Sequence, residues 1–192
     1  CALPILDVDP ETLNIDTALV EREITSKTTA IIGVHLYGNP CKVDDLESIA
    51  TNNGLNFLED CAQATGASYH NRKVGSFGSL SCFSFYPTKN LAAIGDGGML
   101  TTSDESIYSK VRRLRQYGWD SSRISMEVSG VSRLDEIQAA ILKVKLNQLE
   151  SRNNRRREIA NIYQECLDPI KFREVSESQG AFRVDRKSTR LN

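Results

Sequence analysis

The sequence predicts an α/β fold in which a mostly parallel sheet is covered by helices. Short apolar, β-branched runs alternate with stretches of helical period, and this spacing is typical of strand–helix–strand units. The 192 residues suffice for one ordinary domain and part of another. Hydrophobic residues make up 40% of the chain and charged residues 26%, a globular composition that provides enough apolar surface for a core.

The N-terminal part of the chain gives three strand signals and two helix signals. Residues 29–35 read TAIIGVH, a run rich in β-branched side chains that favours a strand. Apolar side chains at positions 43, 46, 49 and 50 have a helical period, which Gly54 ends. The predicted elements are strands over residues 3–8, 29–35 and 55–58 and helices over residues 16–24 and 43–53.

The following part continues this alternation and then changes character. We predict strands over residues 80–85 and 98–102, and then a helix that Ser103-Asp104 caps and that ends at Tyr117, before Gly118. From Ser132 onward the apolar residues fit a long amphipathic helix, and a helical period continues to Leu167.

Composition and spacing argue against several classes of function. The formal net charge of −1 gives no electrostatic basis for binding nucleic acid or an anionic membrane, and no apolar run approaches the ~18 residues of a membrane helix. The five cysteines form no Cys-x-x-Cys pair, which favours reduced thiols in a cytoplasmic protein. Neither His35 nor His70 has metal-ligand spacing to a cysteine or to the other histidine, so we predict no metal site.

A lysine in an apolar, glycine-lined turn is the first candidate for chemistry. Lys89 follows Tyr86-Pro87-Thr88 at the end of a predicted strand, and Gly95, Gly97 and Gly98 come soon after it. Desolvation lowers the pKa of an ammonium group and frees the amine as a nucleophile. A lysine on an exposed loop is the alternative, and for a single lysine it is the more common arrangement.

Three polar residues accompany Lys89. Asp60 ends an apolar strand, where a carboxylate can keep a pyridine nitrogen protonated, and Gln63 lies three residues further on. Ser84 stands in a predicted strand, from which its hydroxyl can reach a phosphate. Each has an ordinary alternative: a cap or loop acid, a solvated amide, and a residue of sheet packing. Together, an acid, an amide, a hydroxyl and an amine on adjacent strands match what holds an aromatic aldehyde cofactor.

The chain resembles a known family in five segments, in order and spacing: EDCAQATGA, GSFGSLSCFSFYPTKNL, GDGGML, LRQYGW and SRLDEIQAAIL. They resemble the DegT/DnrJ/EryC1/StrS family of sugar aminotransferases, from about Leu6 to about Leu167. The resemblance implies a PLP-dependent transferase of fold type I, with a mostly parallel sheet and helices on both faces in the large domain, and the start of a small C-terminal domain. It also implies a pyridoxal 5'-phosphate cofactor and a homodimer with the active site at the subunit interface.

The resemblance assigns a role to each candidate residue by its motif. Lys89, in the pattern F-S-F-x-x-x-K, is similar to the lysine that forms an imine with the cofactor. Asp60 is similar to the acid that faces the pyridine nitrogen, and Gln63 to the amide near the cofactor's phenolic oxygen. Ser84 is similar to the phosphate-binding serine.

An amino-group transfer in two halves is the activity that the resemblance implies. An amino acid, usually glutamate in this family, leaves its amino group on the cofactor, and a nucleotide-linked keto-sugar then receives it, while Lys89 moves the proton between carbon centres. LRQYGW and SRLDEIQAAIL look most like members that aminate C3 of dTDP-linked 6-deoxy keto-sugars in amino-sugar and polysaccharide biosynthesis. Three alternatives stay open: a C4 aminase of the same family, a non-catalytic truncated family member, and a sugar dehydratase. Lys89 argues against the dehydratase, because the resemblance implies a histidine in place of this lysine in the dehydratase members of the family.

The sequence also departs from the family pattern. Val131 stands near the place where the family often has an asparagine that reaches the phosphate across the dimer, which weakens the prediction of such a contact. We expect residues 1–131 to be part of the large cofactor-binding domain without its N-terminal segment. Residues 132–192 are then long helices that lead into an incomplete small domain. Residues 186–192, RKSTRLN, do not resemble the family, so we expect a truncated or chimeric reading frame.

Overall fold

The computed structural model describes residues 5–168 and 175–184. Helices and strands alternate as predicted over residues 17–60, but four strands then follow within residues 68–101 with no helix between them, and three helices follow within residues 105–166. The strands are β1 (Ala30–Val34), β2 (Asn56–Asp60), β3 (Ser68–Tyr69), β4 (Arg72–Lys73), β5 (Leu80–Ser84), β6 (Gly98–Thr101) and β7 (Ala181–Phe182). The α-helices are α1 (Thr17–Val20), α2 (Val43–Asn52), α3 (Glu105–Leu114), α4 (Glu136–Leu146) and α5 (Leu149–Cys166). Short 3-10 turns, Glu21–Glu23 and Leu36–Gly38, follow α1 and β1.

Four strands form the central sheet, in the order β1-β2-β5-β6. β1, β2 and β5 are parallel, and β6 runs antiparallel to β5, so the sheet is mixed and mostly parallel. The register places Asp60, the last residue of β2, between Val34 of β1 and Cys82 of β5. Asp60 therefore lies at the carboxyl ends of parallel strands, where α/β proteins bind their ligands.

A second, smaller sheet has three antiparallel strands in the order β4-β3-β7. β3 and β4 are joined by a tight turn through His70 and Asn71, whose φ angles are +45° and +63°. β7 pairs with β3 and so connects residues 175–184 to this sheet. Strands of two residues show no hydrophobic period, and for that reason the sequence did not predict them.

One face of the central sheet carries the main core, where α2 packs against β1 and β2. The buried residues of this core are Val20, Ile31, Cys41, Val43, Leu46, Ala50, Phe57, Tyr69 and Phe77. On the opposite face, Ile32, Val34 and Leu100 are 45%, 38% and 44% exposed. The described residues therefore cover this second face only in part.

The helix predictions were accurate where a cap or a stop signal was present. α2 begins at the predicted residue and ends next to Gly54, which has a φ of +64°. Asp104 caps α3, because its Oδ1 accepts hydrogen bonds from the N–H groups of Ser106 and Ile107. α3 ends at Leu114, before the predicted end at Tyr117.

Of two N-terminal predictions, the helix was confirmed in extent and the strand was wrong. The helix expected over residues 16–24 is formed over residues 17–23, as one α-helical turn followed by one 3-10 turn. The chain becomes extended at Ile24 and then turns, with the Thr25 N–H donating to Thr28 Oγ1. The strand expected over residues 3–8 is not formed in its described part, where Val8 makes an isolated bridge with Ile15.

The long helix expected from Ser132 is two helices in the structure. α4 begins at Glu136, and the chain leaves the helical conformation at Gln148, where φ is −107° and ψ is 0°, before α5 begins. The end of the helical period near Leu167 is confirmed, since α5 ends at Cys166. Among the described residues, no helix is both long and apolar enough to cross a membrane. Residues 186–192, expected to be foreign, lie outside the described residues.

Candidate active site

Asp60 lies at the carboxyl end of the middle parallel strand. Its backbone oxygen accepts a hydrogen bond from the His35 N–H at 3.1 Å, and the Cys61 N–H donates to the Cys82 oxygen at 2.8 Å, so both neighbouring strands hold this strand end. The half-buried side chain accepts a hydrogen bond at Oδ1 from the Ala62 N–H at 2.9 Å. Within residues 5–168 and 175–184, Oδ2 accepts no hydrogen bond, which leaves one carboxylate oxygen for a ligand.

Gln63, in the loop after β2, is oriented by the loop after β1. Its Oε1 accepts a hydrogen bond from the Tyr37 N–H at 3.0 Å. Because a side-chain amide accepts through oxygen and donates through nitrogen, this contact leaves the Nε2 amino group to donate to another acceptor. Tyr37 has a left-handed φ of +56°, the backbone geometry that turns the chain at this point.

Ser84 and Lys89 lie at the carboxyl end of β5, the strand next to β2. Ser84 Oγ accepts a hydrogen bond from the Tyr86 N–H at 3.3 Å, so its O–H can still donate. Lys89 lies in the following turn, where its N–H donates to the Tyr86 oxygen at 2.8 Å and its side chain is half-buried. Asp60 and Ser84 therefore end adjacent strands, and the loops that follow them, which carry Gln63 and Lys89, leave the sheet at the same end.

The alternation of side chains along a strand places Asp60, Cys82 and Ser84 on one face of the sheet, the face that the described residues cover only in part. The structure thus brings the carboxylate and the hydroxyl to neighbouring strands of one face, with Gln63 and Lys89 in the adjoining loops. The roles of these residues toward a ligand remain predictions.

The surroundings at this end of the sheet shift the pKa of the Cys82 thiol. Burial raises the pKa of Cys82, and the Asp60 carboxylate raises it further. Burial also raises the pKa of Cys61, as do the carboxylates of Glu59 and Asp60. Both thiols therefore stay protonated at neutral pH, and the field at the strand ends is negative, which favours a cationic group such as a protonated ring nitrogen.

A buried network lies on the other face of the same strands, and the sequence did not predict it. Glu59 is 1% exposed and accepts hydrogen bonds from His35 Nε2 at 3.0 Å, Ser81 Oγ at 2.7 Å, Gly75 N–H at 2.9 Å and Phe77 N–H at 2.8 Å. Burial alone would raise the pKa of Glu59, but the hydrogen bonds, led by that from His35, outweigh it and lower the pKa below its ordinary value. A charged residue at the buried position of an alternating strand was the signal available in the sequence.

His35 connects this network to the loop after β1. The Cys41 N–H donates to His35 Nδ1 at 3.1 Å, so Nε2 carries the proton that Glu59 accepts. Ligand atoms of His35, Glu59 and Cys61 lie within 4.8 Å of one another, as they would around a metal ion. The oxygens of Glu59 accept five hydrogen bonds, one of them from Cys61 Sγ at 4.0 Å, so this trio is arranged as a hydrogen-bonded core.

Residues 2–186 match the model of the DegT/DnrJ/EryC1/StrS aminotransferase family. The chain belongs to this family. Members of the DegT/DnrJ/EryC1/StrS family are PLP-dependent enzymes, and the five motif segments that suggested the resemblance all lie within the matched residues.

Two relatives in the DegT/DnrJ/EryC1/StrS family show how far the similarity extends. The chain is 46% identical over 172 residues to the erythromycin biosynthesis sensory transduction protein EryC1 of Saccharopolyspora erythraea, across 88% of the chain and 46% of that protein. It is 48% identical over 167 residues to the dTDP-3-amino-3,6-dideoxy-alpha-D-galactopyranose transaminase of Aneurinibacillus thermoaerophilus, across 86% of the chain and 46% of that protein. The chain thus spans about half the length of these relatives.

A solved structure of the same family shows the same fold. DesV of S. venezuelae, in complex with a ketimine intermediate, is 37% identical and superposes with a TM-score of 0.90 over 94% of this chain and 49% of that one. The α/β fold is therefore that of the PLP-dependent aminotransferases, over about half of their length.

The four candidate residues fit a pyridoxal phosphate group by the chemistry of their polar groups. Asp60 has one carboxylate oxygen without a hydrogen bond from the described residues, in a negative field that suits a protonated ring nitrogen. Gln63 has an amino group left to donate, and Ser84 has its O–H. Lys89 adds a primary amine from the turn beside them. This donor set matches the ring nitrogen, phenolic oxygen, phosphate and aldehyde of the cofactor.

Proposed function

We propose that the chain is part of a PLP-dependent aminotransferase that transfers an amino group from an amino acid, with glutamate as the expected donor, to a nucleotide-linked keto-sugar. The proposed acceptor is C3 of a dTDP-linked 6-deoxy keto-sugar, in amino-sugar and polysaccharide biosynthesis. The observation that carries this proposal is the location of Asp60, Gln63, Ser84 and Lys89 at the carboxyl ends of two adjacent parallel strands. The name of the Aneurinibacillus relative, a transaminase for a dTDP-3-amino sugar, supports the choice of C3.

Lys89 is the proposed catalytic residue. When bound, pyridoxal phosphate supplies an aldehyde and an electron-accepting ring. Lys89 Nζ would hold the aldehyde carbon until an amino acid takes its place. The freed amine would then move the proton of the donor's α-carbon to the former aldehyde carbon, and the donor would leave as its keto acid. In the second half of the reaction the amine would take a proton from that carbon and deliver it to the carbon of the sugar that receives the amino group.

The other three residues bind and orient. Asp60 keeps a proton on the ring nitrogen with the oxygen that Ala62 does not occupy, and the negative field at the strand ends supports this protonation. Gln63 Nε2 donates to the phenolic oxygen, while its Oε1 remains fixed by the Tyr37 N–H. Ser84 donates its O–H to a phosphate oxygen.

We propose the remaining features of the whole protein on the same basis. Residues 1–131 would belong to the large, cofactor-binding domain of a fold type I enzyme with helices on both faces of its sheet, and residues 132–192 would lead into the small C-terminal domain. The enzyme would be a cytoplasmic homodimer with its active site at the subunit interface. Sedimentation of the full-length protein tests the dimer, because a monomer at micromolar concentration would contradict it.

The first test locates the cofactor. Pyridoxal phosphate is added to the full-length protein, the visible absorbance is recorded, and borohydride reduction followed by peptide mass mapping identifies the labelled lysine. In the wild type we expect the label on Lys89. In Lys89→Ala we expect both the label and the visible absorbance band to be lost. Lys110→Ala, at an exposed position of α3, is the matched control and should behave as the wild type. A label on another lysine, or none, would refute the proposed catalytic residue.

The second test identifies the acceptor. Unreduced full-length enzyme loaded with pyridoxal phosphate is supplied with glutamate and either a 3-keto or a 4-keto dTDP-6-deoxy sugar, and the product is analysed by mass and by NMR. An amino group at C3 is the expected result. An amino group at C4 would instead favour the C4 aminase, and no transfer to either sugar would favour a non-catalytic family member.

A further inference from the structure

A closed set of buried hydrogen bonds joins both loops of the candidate site to α5. Asn153 is fully buried on α5, and its Nδ2 donates to the Thr65 backbone oxygen at 3.1 Å. Asn90, 5% exposed, donates through Nδ2 to the same Thr65 oxygen at 2.6 Å and to Asn153 Oδ1 at 3.2 Å. Three groups from three separate segments of the chain thus contact one another in a closed ring.

The two loops concerned are those that carry the candidate residues. Asn90 directly follows Lys89, so the two Cα atoms are about 3.8 Å apart, and fixing Asn90 fixes the backbone from which Lys89 projects. Thr65 lies two residues after Gln63, in the loop that leaves the strand of Asp60. The ring of hydrogen bonds therefore sets the position of one loop relative to the other.

The packing around Asn153 requires this arrangement. Gly66 has a φ of +95°, and a Cβ atom there would lie 2.7 Å from Asn153 Nδ2, so only glycine lets the loop approach the helix this closely. The apolar residues Leu142 and Leu149 are also buried beside this loop. An amide buried among apolar side chains costs free energy unless its hydrogen bonds are made, so the orientation of Asn153 is tightly specified.

Other contacts hold the same loop further along the chain but do not reach the strand of Asp60. Gln138 of α4 exchanges two hydrogen bonds with Ile94, at 2.8 Å to its N–H and 2.6 Å to its oxygen. Lys145 Nζ donates to the Ala92 oxygen at 2.7 Å. Asn153 differs from both because it binds the two loops at once.

We propose that Asn153 is a positioning residue that fixes the Lys89 amine relative to Asp60 and Gln63 through Asn90 and the Thr65 oxygen. The inference rests on the proposed function in one respect, that Lys89 is the lysine that holds the cofactor. The coupling between the two loops is a property of the protein alone and can be measured without cofactor.

The test compares Asn153→Leu with Gln138→Leu in the full-length protein. Asn153→Leu keeps a similar side-chain volume and removes the two hydrogen bonds that Asn153 makes with Thr65 and Asn90, leaving only the direct bond from Asn90 to Thr65 between the loops. Gln138→Leu removes two hydrogen bonds from the loop of Asn90 at Ile94. Amide hydrogen exchange is measured without cofactor, and the rate of borohydride-trapped labelling of Lys89 is measured with pyridoxal phosphate. Because each lost hydrogen bond corresponds to about a tenfold change in a local opening equilibrium, the effects are large enough to resolve.

We expect Asn153→Leu to accelerate exchange about tenfold in residues 61–66 and in residues 86–91 together, and to slow the labelling of Lys89 by a similar factor. Gln138→Leu should accelerate exchange only around Ile94 and leave the labelling rate within about twofold of the wild type. If Asn153→Leu does not fold, Asn153→Ser is measured in the same way.

Two results would overturn the inference. The first is faster exchange in α5 or across the whole chain without a joint change in the two loop segments. The second is a labelling rate that Gln138→Leu reduces as much as Asn153→Leu does. If the wild type itself gives no label on Lys89, the proposed function fails, while the joint change in exchange still decides whether Asn153 couples the loops.

Discussion

His35 Nε2 lies 3.0 Å from Glu59 Oε1, and neither side chain is exposed to solvent. Through its five hydrogen bonds, the Glu59 carboxylate joins the residues that follow β1 and β2 to β5 and to the loop that precedes β5. Asp60 is the next residue and points to the opposite face of the sheet. The buried pair thus fixes the strand end from which the proposed cofactor acid projects.

We expect Glu59→Gln to lower the free energy of unfolding by about 3 kcal/mol, because the new amino group faces donors that the carboxylate satisfied. Urea denaturation measures the change. Glu47→Gln is the matched control, since Glu47 accepts a hydrogen bond from the Gly78 N–H at 2.8 Å near the surface, and it should cost less than about 1 kcal/mol. Equal losses in the two variants would contradict the central role of Glu59.

The pH dependence of stability should carry the signature of Glu59. Its pKa in the folded state is lowered from an ordinary value of 4.5, so its contribution is fully present above that pH and is lost as the pH falls through the lower folded pKa. The difference in unfolding free energy between the wild type and Glu59→Gln should therefore be largest near neutral pH and shrink in acid. A difference that stays constant down to about pH 2 would show that the ionised carboxylate is not responsible.

The sequence predicted those parts of the fold that have a local signal. β1, β2, β5 and β6 follow from β-branched and alternating runs, the start of α3 follows from Asp104, and the end of α2 follows from Gly54. The sequence also predicted which end of the sheet carries Asp60 and Ser84, because the end of an apolar run marks the end of a strand.

What the sequence could not provide depends on contacts between distant residues. His35 and Ser81 reach Glu59 across 24 and 22 residues, and only the register of three strands brings them together. Asn153 reaches Thr65 across 88 residues, through a helix whose exposed, charged composition gives no hint of a buried amide. The break between α4 and α5 at Gln148 was missed because the apolar period continues across it.

Asp60→Asn should separate charge from structure at the proposed site. Asparagine keeps an oxygen that can accept from the Ala62 N–H, so the fold should be retained. Loss of the charge should lower turnover by about a hundredfold or more. It should also lower the pKa of Cys82, because the Asp60 carboxylate is one of the two causes that raise it, after burial.

Alkylation of Cys82 with iodoacetamide over a range of pH measures this shift independently of activity. The Cys82 profile should move to lower pH in Asp60→Asn, whereas the exposed Cys166 should react as in the wild type. An unchanged Cys82 profile would mean that the Asp60 carboxylate does not raise the pKa of the Cys82 thiol.

Gly33→Ala should destabilise the protein by about 1–3 kcal/mol, because a Cβ there would lie 2.9 Å from Phe57 Cε2 and 3.0 Å from both Cys41 Sγ and Leu46 Cδ1. Gly130→Ala is the control, since its Cβ would meet no atom within 4 Å and the smaller entropy of the unfolded chain makes it neutral or slightly stabilising. Thermal unfolding compares the two variants. If both variants melt at the wild-type temperature, α2 can move away from the sheet at little cost in free energy. That result would contradict the inference that close packing against α2 holds β1 and β2 in place.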